Sequence, residues 1–151
     1  MDRHCPECGA RMQLKKHERE GRVGSFKVID SGCMASVCES CGVVDMTLDD
    51  LQRFERRAAR IVLLDRPDAG GDVYKYARKA LGLRQVDLAR MLGVEPETVS
   101  RWENGHVAMP RAEQLALVAL LDVSEHDPDT FDRMVRGESA GSGKKLTIRA
   151  A

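Results

Sequence analysis

Two Cys-x-x-Cys pairs are the residues of this chain best suited to chemistry: Cys5-Pro6-Glu7-Cys8 and Cys38-Glu39-Ser40-Cys41. A tight turn within each pair can aim two sulfurs at one ion, and two such turns supply the four thiolates of structural zinc. We therefore predict one zinc ion held by Cys5, Cys8, Cys38 and Cys41. Because four thiolates leave no coordination position for water, the site favours a role in folding over catalysis.

Other uses of the cysteines remain open at the level of sequence. The pairs could form disulfides or redox thiols, Cys33 could replace Cys38 or Cys41 as a ligand, and His4 or His17 could also ligate. No signal peptide precedes Cys5 and no apolar run approaches membrane-spanning length, so we expect a cytoplasmic protein, where disulfides are disfavoured. A buried or exposed free thiol is the favoured interpretation of Cys33.

Composition places the chain among globular proteins and limits the size of its core. It has 151 residues, of which 42% are hydrophobic, 32% charged and 4% aromatic, and its formal net charge is zero. Scarce aromatic residues argue against one large core, so a metal is expected to replace missing core in a small N-terminal module. The zero net charge means that any nucleic-acid binding must depend on local placement of charge.

Patterning divides the chain into four segments and predicts an α+β fold. Residues 1–48 read as a zinc-binding ribbon, in which a β-hairpin occupies the 29 residues between the cysteine pairs. Residues 49–72 read as a connecting helix and a Gly/Pro-containing hinge, and residues 73–136 as an all-α helix-turn-helix bundle. Residues 137–151 have the composition of a flexible tail.

The connecting helix is expected to start at Thr47 or Asp49 and carries an arginine cluster between its apolar positions. These arginines could touch phosphate, but such a charge run is more often a solvated helix face, which is the interpretation we favour. The cluster comprises Arg53, Arg56, Arg57 and Arg60.

Residues 83–105 have the pattern of two short helices that cross steeply. Gly93 suits the left-handed conformation at a helix C-terminus, and Pro96 suits the first turn of the next helix. Val99 and Trp102 are three apart and are predicted to face the core. The outward positions of the second helix are then polar, which is the geometry of a helix that enters the DNA major groove. These positions are Glu97, Thr98, Ser100 and Arg101.

This stretch resembles the helix-turn-helix of the Xre and lambda-repressor-like family over residues 73–122. The matching elements are Gln85, the Leu-Ala-x-x-Leu-Gly-Val run that ends at Val94, and the Val-Ser-Arg-Trp-Glu-Asn-Gly run that ends at Gly105. The resemblance implies that Gln85 and Asn104 bond DNA phosphates as positioning contacts. It also implies that Glu97, Thr98, Ser100 and Arg101 lie on the groove side, with Arg101 reading guanine O6 and N7.

The combination of a four-cysteine ribbon and this helix-turn-helix resembles the MqsA-like antitoxins, also described as YgiT-type proteins. In that family the zinc domain holds a toxin, while the helical domain dimerises and represses the operon that encodes both. The resemblance implies double-stranded operator DNA and a homodimer as partners, with a toxin protein on the zinc domain. Cys33, the glycine-rich hinge and the C-terminal tail depart from the family pattern.

Two observations bear on assembly and on competing functions. Apolar residues after the recognition helix, such as Leu115 and Phe131, could pair two copies or close the monomer's core. Residues 73–122 carry seven Lys or Arg and six Asp or Glu, a net charge of +1, so a protein-interaction adaptor without DNA binding is the alternative. We expect no enzyme, because neither cysteine pair opens a helix and no catalytic constellation is recognisable.

Overall fold

The computed structural model describes residues 3–138, so residues 139–151 of the predicted tail lie outside the described part. Three strands precede six helices in this part of the chain. The strands are β1 (Gln13–Val23), β2 (Phe26–Val37) and β3 (Val44–Asp45). The helices are α1 (Leu48–Asp65), α2 (Gly71–Ala80), α3 (Gln85–Leu92), α4 (Pro96–Glu103), α5 (Arg111–His126) and α6 (Pro128–Arg136).

The strands form one antiparallel sheet in the order β1-β2-β3, which makes β1 an edge strand. β1 and β2 form the predicted hairpin between the cysteine pairs, and Val23 pairs with Phe26 across its tip. Gly24 at this tip has φ +57°, a left-handed conformation that glycine adopts without a steric penalty. The pairing passes from His17–Cys33 to Arg19–Asp30, so β2 has one more residue than β1 in this interval, which marks a bulge in β2.

Helix α1 packs the hairpin onto the helical part of the protein. Thr47 is its N-cap, since the Thr47 hydroxyl accepts a hydrogen bond from the Asp50 N–H at 3.0 Å. Its buried face includes Phe54, and a Cβ at Gly21 of β1 would lie 2.6 Å from the Phe54 ring. The glycine therefore permits close contact between the strand and the helix.

The favoured prediction of a solvated face fits two of the four α1 arginines, since Arg53 and Arg57 are exposed whereas Arg56 and Arg60 are half-buried. Each has a carboxylate partner on its own helix, on β2 or on α5. The closest pairs are Arg53–Asp49 at 3.2 Å, Arg56–Glu125 at 3.2 Å, Arg57–Asp30 at 3.1 Å and Arg60–Asp122 at 2.5 Å. Three of them therefore connect α1 to elements that are distant in sequence.

The segment predicted as a hinge is packed against the helical bundle. Its Ala69 is buried, and the Ala69 carbonyl accepts a hydrogen bond from the Tyr74 hydroxyl at 2.5 Å. A Cβ at Gly71 would lie 2.3 Å from the Trp102 carbonyl oxygen. Helix α2 begins at Gly71, two residues before the predicted domain boundary. Glycine at this position allows the start of α2 to lie close to the end of α4. The division of the chain into domains stays a prediction.

The large hydrophobic core runs from the hairpin through α1 to α6, with Val23, Leu63, Leu88 and Leu121 among its buried members. The α+β prediction is confirmed: a small cysteine-bearing sheet precedes a helical bundle of the lambda-repressor-like type. None of the helices in residues 3–138 is long and apolar enough to cross a membrane.

Candidate metal centre and nucleic-acid interface

Each cysteine pair lies in a turn of the same backbone construction. The Gly9 N–H donates to the Cys5 carbonyl at 2.9 Å, and the Gly42 N–H donates to the Cys38 carbonyl at 2.8 Å. Both glycines have positive φ, +71° and +75°. The residue after each second cysteine is thus glycine because the chain must reverse there in the left-handed conformation. The two turns face each other as a pair of knuckles.

The four sulfurs converge as a metal site requires. All of them lie within 4.8 Å of one another. The Sγ atoms of Cys5 and Cys41 are 3.4 Å apart, and those of Cys8 and Cys38 are 3.5 Å apart. Zinc–sulfur bonds of about 2.3 Å in a tetrahedron imply sulfur–sulfur edges of about 3.8 Å. The separations therefore fit four ligands of a single ion.

Backbone amides favour the thiolate form that a metal needs. The Cys41 N–H, the largest influence on Cys38, lowers the pKa of the Cys38 thiol to about 6 because a thiolate accepts this bond better than a thiol. Backbone hydrogen bonds from Ala10 and Val43 act in the same direction on Cys8 and Cys41, but hydrogen bonds to neighbouring cysteines and burial outweigh them and raise the pKa of both thiols, that of Cys41 to about 12. The four cysteines could hold a metal ion, and the amides around them match the charge of bound thiolates.

Cys33, His4 and His17 lie outside this cluster among the described residues. Cys33 is buried on β2, and its thiol donates to Asp30 at 3.3 Å. Burial, followed by the carboxylate of Asp30, raises the pKa of Cys33 to about 11. The favoured interpretation of Cys33 as a buried free thiol therefore agrees with its position.

Helices α3 and α4 form the helix-turn-helix. Helix α3 ends at Gly93, whose φ of +69° turns the chain toward α4, and Pro96 occupies the first turn of α4. Val99 and Trp102 are buried, as their spacing predicts. They fix the inner face of α4, which determines the direction in which its other side chains point.

The predicted base-reading residues differ in their exposure. Glu97 and Arg101 are exposed on α4, whereas Thr98 and Ser100 are half-buried. Within residues 3–138, the Arg101 guanidinium has no hydrogen-bond or ion-pair partner. Its donors are therefore available to a ligand, and its assignment as a base contact stays a prediction.

A buried network that the sequence reasoning missed connects α2, α3 and α4. Glu103 accepts hydrogen bonds from Arg78 Nε at 2.5 Å and Nη2 at 3.0 Å, and from Gln85 Nε2 at 2.8 Å. The side chains of Arg78 and Glu103 are only 10% and 2% exposed. The sequence contained one indication of this network: Arg78 and Glu103 have opposite charges and lie on helices that are otherwise expected to pack through apolar residues.

The two predicted phosphate contacts both bond within the protein. Gln85 donates to Glu103, and Asn104 Nδ2 donates to the Ser100 carbonyl at 2.8 Å at the end of its own helix. An amide has two N–H donors, so Gln85 keeps one, whereas Asn104 Nδ2 also donates to Ser100 Oγ at 3.3 Å and has both donors engaged. Their role at DNA stays a prediction.

Comparison with known families matches residues 75–123 to the helix-turn-helix family model, a span that covers most of α2 and the helices up to α5. No curated protein matches the chain. The family match supports a DNA-binding transcription regulator, with double-stranded DNA as the ligand of the helical part. The cluster of Cys5, Cys8, Cys38 and Cys41 adds a site for a metal ion.

Proposed function

We propose that the protein is a sequence-specific transcriptional repressor that binds operator DNA as a homodimer. We further propose that it is the antitoxin of a type II toxin–antitoxin pair and autoregulates the operon that encodes both. In this proposal the N-terminal ribbon holds a structural zinc ion and binds the toxin, and the protein acts in the cytoplasm.

The proposal depends mainly on the two faces of α4. Its inner face is held by buried contacts, and its outer face is exposed. Val99 and Trp102 are buried, and Glu103 is held by Arg78, so α4 has little freedom to rotate. Arg101 projects from the opposite side and is exposed. An exposed, unpaired guanidinium on a helix that is held by its buried face suits bidentate bonding to guanine in the major groove.

Phosphate contacts would position this helix. Gln85 begins α3, and its bond to Glu103 orients the amide while leaving one N–H to donate to a phosphate. Asn104, at the end of α4, would donate to a phosphate with the N–H that bonds Ser100 Oγ at 3.3 Å in the absence of DNA. Because residues 73–122 carry a net charge of only +1, non-specific DNA binding should be weak, and a homodimer on a matched operator becomes important.

Zinc is the metal that the donor set favours, since four thiolates in a tetrahedron suit Zn²⁺ in structural sites. Metal analysis of the purified protein should give one zinc per chain. Substitution by Co²⁺ should give the absorption of a four-thiolate site, and Cys38→Ser should change that spectrum while Cys33→Ser leaves it unchanged. An unchanged spectrum in Cys38→Ser would contradict the ligand assignment.

DNA binding is tested by a salt-dependent titration of the full chain against its own upstream DNA and a scrambled duplex. We expect a preference of about a thousandfold for the upstream DNA. Arg101→Ala should lose most of that preference and keep its thermal stability. Arg133→Ala is the matched control, because Arg133 is also exposed but lies on α6.

The alternative is a protein-interaction adaptor whose helical part does not read DNA. The intramolecular bonds of Gln85 and Asn104 and the low net charge favour it. Equal, weak and strongly salt-dependent binding to both duplexes, unaffected by Arg101→Ala and Gln85→Ala, would establish this alternative. A stand-alone regulator would instead read its operator but bind no toxin.

A further inference from the structure

Arg19 differs from the other arginines that the fold partly buries. Six arginines in residues 3–138 are half-buried or buried, and five of them donate to an oxygen. These five are Arg3 to Asp45, Arg56 to Glu125, Arg60 to Asp122, Arg78 to Glu103 and Arg111 to the Leu63 carbonyl. Arg19 has no oxygen acceptor within these residues.

The contacts that Arg19 does make are weak ones. Its guanidinium carbon lies 4.9 Å from the centroid of the Phe54 ring, and Nη1 approaches the Met46 sulfur at 3.2 Å. Its Nε atom is buried with no hydrogen-bond partner in the described part of the chain. A thioether is a poor acceptor, and a buried donor without a partner is costly, so a carboxylate at this position would be bound strongly.

Arg19 lines an open crevice of about 510 Å³ that reaches from β1 to β3 and the start of α1. Val44, Met46 and Leu51 give the crevice an apolar floor, and Val44 is 40% exposed. Consecutive residues 17–20 line it, although they alternate between the two faces of the strand. The crevice therefore has β1 on one side and β3 with the start of α1 on the other.

We propose that this crevice binds an extended segment of a partner protein that places one Asp or Glu against Arg19 and aliphatic side chains against Val44 and Leu51. The segment lies between β1 and β3, since Arg19 and Val44 line the same crevice, and its carboxylate accepts hydrogen bonds from the Nη donors of Arg19. This inference rests on the part of the proposed function that assigns partner binding to the ribbon. It names the chemistry of the segment that is recognised.

Two glutamates that line the crevice limit how many acidic residues a bound segment can carry. Glu20 is paired with Lys27 at 2.8 Å, whereas Glu18 is exposed and has no ion pair within residues 3–138. Glu18 would repel a segment with several acidic residues. The site therefore selects a single acidic residue among apolar neighbours, and Glu18→Gln should increase the affinity for an acidic segment.

The test uses the metal-loaded full chain and labelled peptides of about ten residues, the length of a paired strand. The peptides alternate Val and Thr around one central Glu, and the matched peptides carry Gln at that position. Fluorescence anisotropy should give a dissociation constant about tenfold or more lower for the Glu peptide. The Arg19 Nε–H resonance should shift on addition of that peptide.

Three variants sharpen the result. Arg19→Gln should remove the preference for Glu over Gln, while Arg22→Gln, on the same strand but exposed, should retain it. Val44→Glu should block the crevice with a carboxylate of its own without changing the Arg19 packing on Phe54. Circular dichroism and the melting temperature confirm that each variant is folded.

The inference is overturned if none of the peptides binds, if Glu and Gln peptides bind equally, or if Arg19→Gln keeps the preference. It is also overturned if acetate alone shifts the Arg19 resonance and the Glu peptide does not, since the site would then take a small free anion. DNA titration of the same variants separates the two proposals, because Arg19→Gln should leave operator binding intact and Arg101→Ala should leave peptide binding intact.

Discussion

The knuckles and the helical bundle are stabilised by different means. The apolar cluster around the knuckles has three buried members, Cys5, Met12 and Cys38, and two of these are metal-site cysteines. The bundle instead shares a core that extends from the hairpin to α6 and buries residues such as Leu63 and Leu117 completely. So few buried side chains cannot offset the chain entropy of the knuckles, and a metal ion bound by the four cysteines would contribute most of their stability.

The β1–β2 hairpin joins the knuckles to the bundle, and the large core ends within it. Toward its tip, Val23 is fully buried in the large core and Gly21 touches Phe54 of α1. At the other end the strands lead into the knuckles. We therefore expect the part of the chain that depends on a bound metal to end within the hairpin and not at the segment after α1. The effects expected on the two regions run from the largest to the smallest.

Breaking the buried ion pair should affect the bundle most. Glu103→Ala leaves the Arg78 guanidinium buried without its carboxylate, which should lower the free energy of unfolding by about 3–5 kcal/mol. Urea denaturation followed by circular dichroism measures it. Glu97→Ala on the same helix is the control, because Glu97 is exposed and its loss should change stability little. Similar values for both variants would mean that the network does not stabilise the bundle.

Gly71, at the start of α2, and Gly93, in the turn between α3 and α4, should differ in their sensitivity to alanine. A Cβ at Gly71 would meet the Trp102 carbonyl oxygen at 2.3 Å, so Gly71→Ala must displace α2 from α4, at a cost of about 2 kcal/mol or more. A Cβ at Gly93 would meet nothing within 4 Å, and only the left-handed φ opposes it, at a cost of about 1 kcal/mol. Thermal denaturation of both variants measures the difference. A smaller loss in Gly71→Ala would show that the contact is not tight in solution.

Metal removal should disorder the knuckles and leave the bundle folded. After chelation, hydrogen exchange should accelerate in residues 3–12 and 38–45, while amides of α2 to α5 keep their protection. Cys38→Ser should reproduce this pattern without chelator. Loss of protection in α4 and α5 together with the knuckles would mean that the two regions fold as one unit, contrary to the comparison.

The features that the sequence predicts are those that short segments determine. Each Cys-x-x-Cys-Gly turn and the Gly93–Pro96 connection are specified by neighbouring residues, so their geometry follows from spacing. The partners of the α1 arginines could not be predicted, because Asp122 and Glu125 lie more than sixty residues from Arg60 and Arg56 along the chain.

Gly71 and Gln85 also show that contacts between distant segments cannot be predicted from the sequence. Gly71 was interpreted as part of a hinge because composition alone cannot distinguish a glycine that gives flexibility from one that permits close packing. Gln85 was assigned to DNA phosphate, and its bond to Glu103 appears only once α3 and α4 are placed together. The close packing at Gly71 and the Gln85–Glu103 hydrogen bond both depend on contacts between different helices. Residue spacing within one segment does not indicate such contacts.

The smallest effect should come from Cys33, which belongs to the hairpin half that the bundle stabilises. Its pKa of about 11 in the folded protein exceeds the ordinary value of 9.0, because burial and Asp30 disfavour the thiolate. The folded state then binds more protons than the unfolded state between pH 9 and 11, so stability should fall as the pH rises through this window. Other groups titrate here too, so the measurement is the difference in unfolding free energy between wild type and Cys33→Ala at each pH. We expect that difference to shrink above pH 9; a constant difference would mean that the thiol is accessible to solvent and that the bundle's core ends before Cys33.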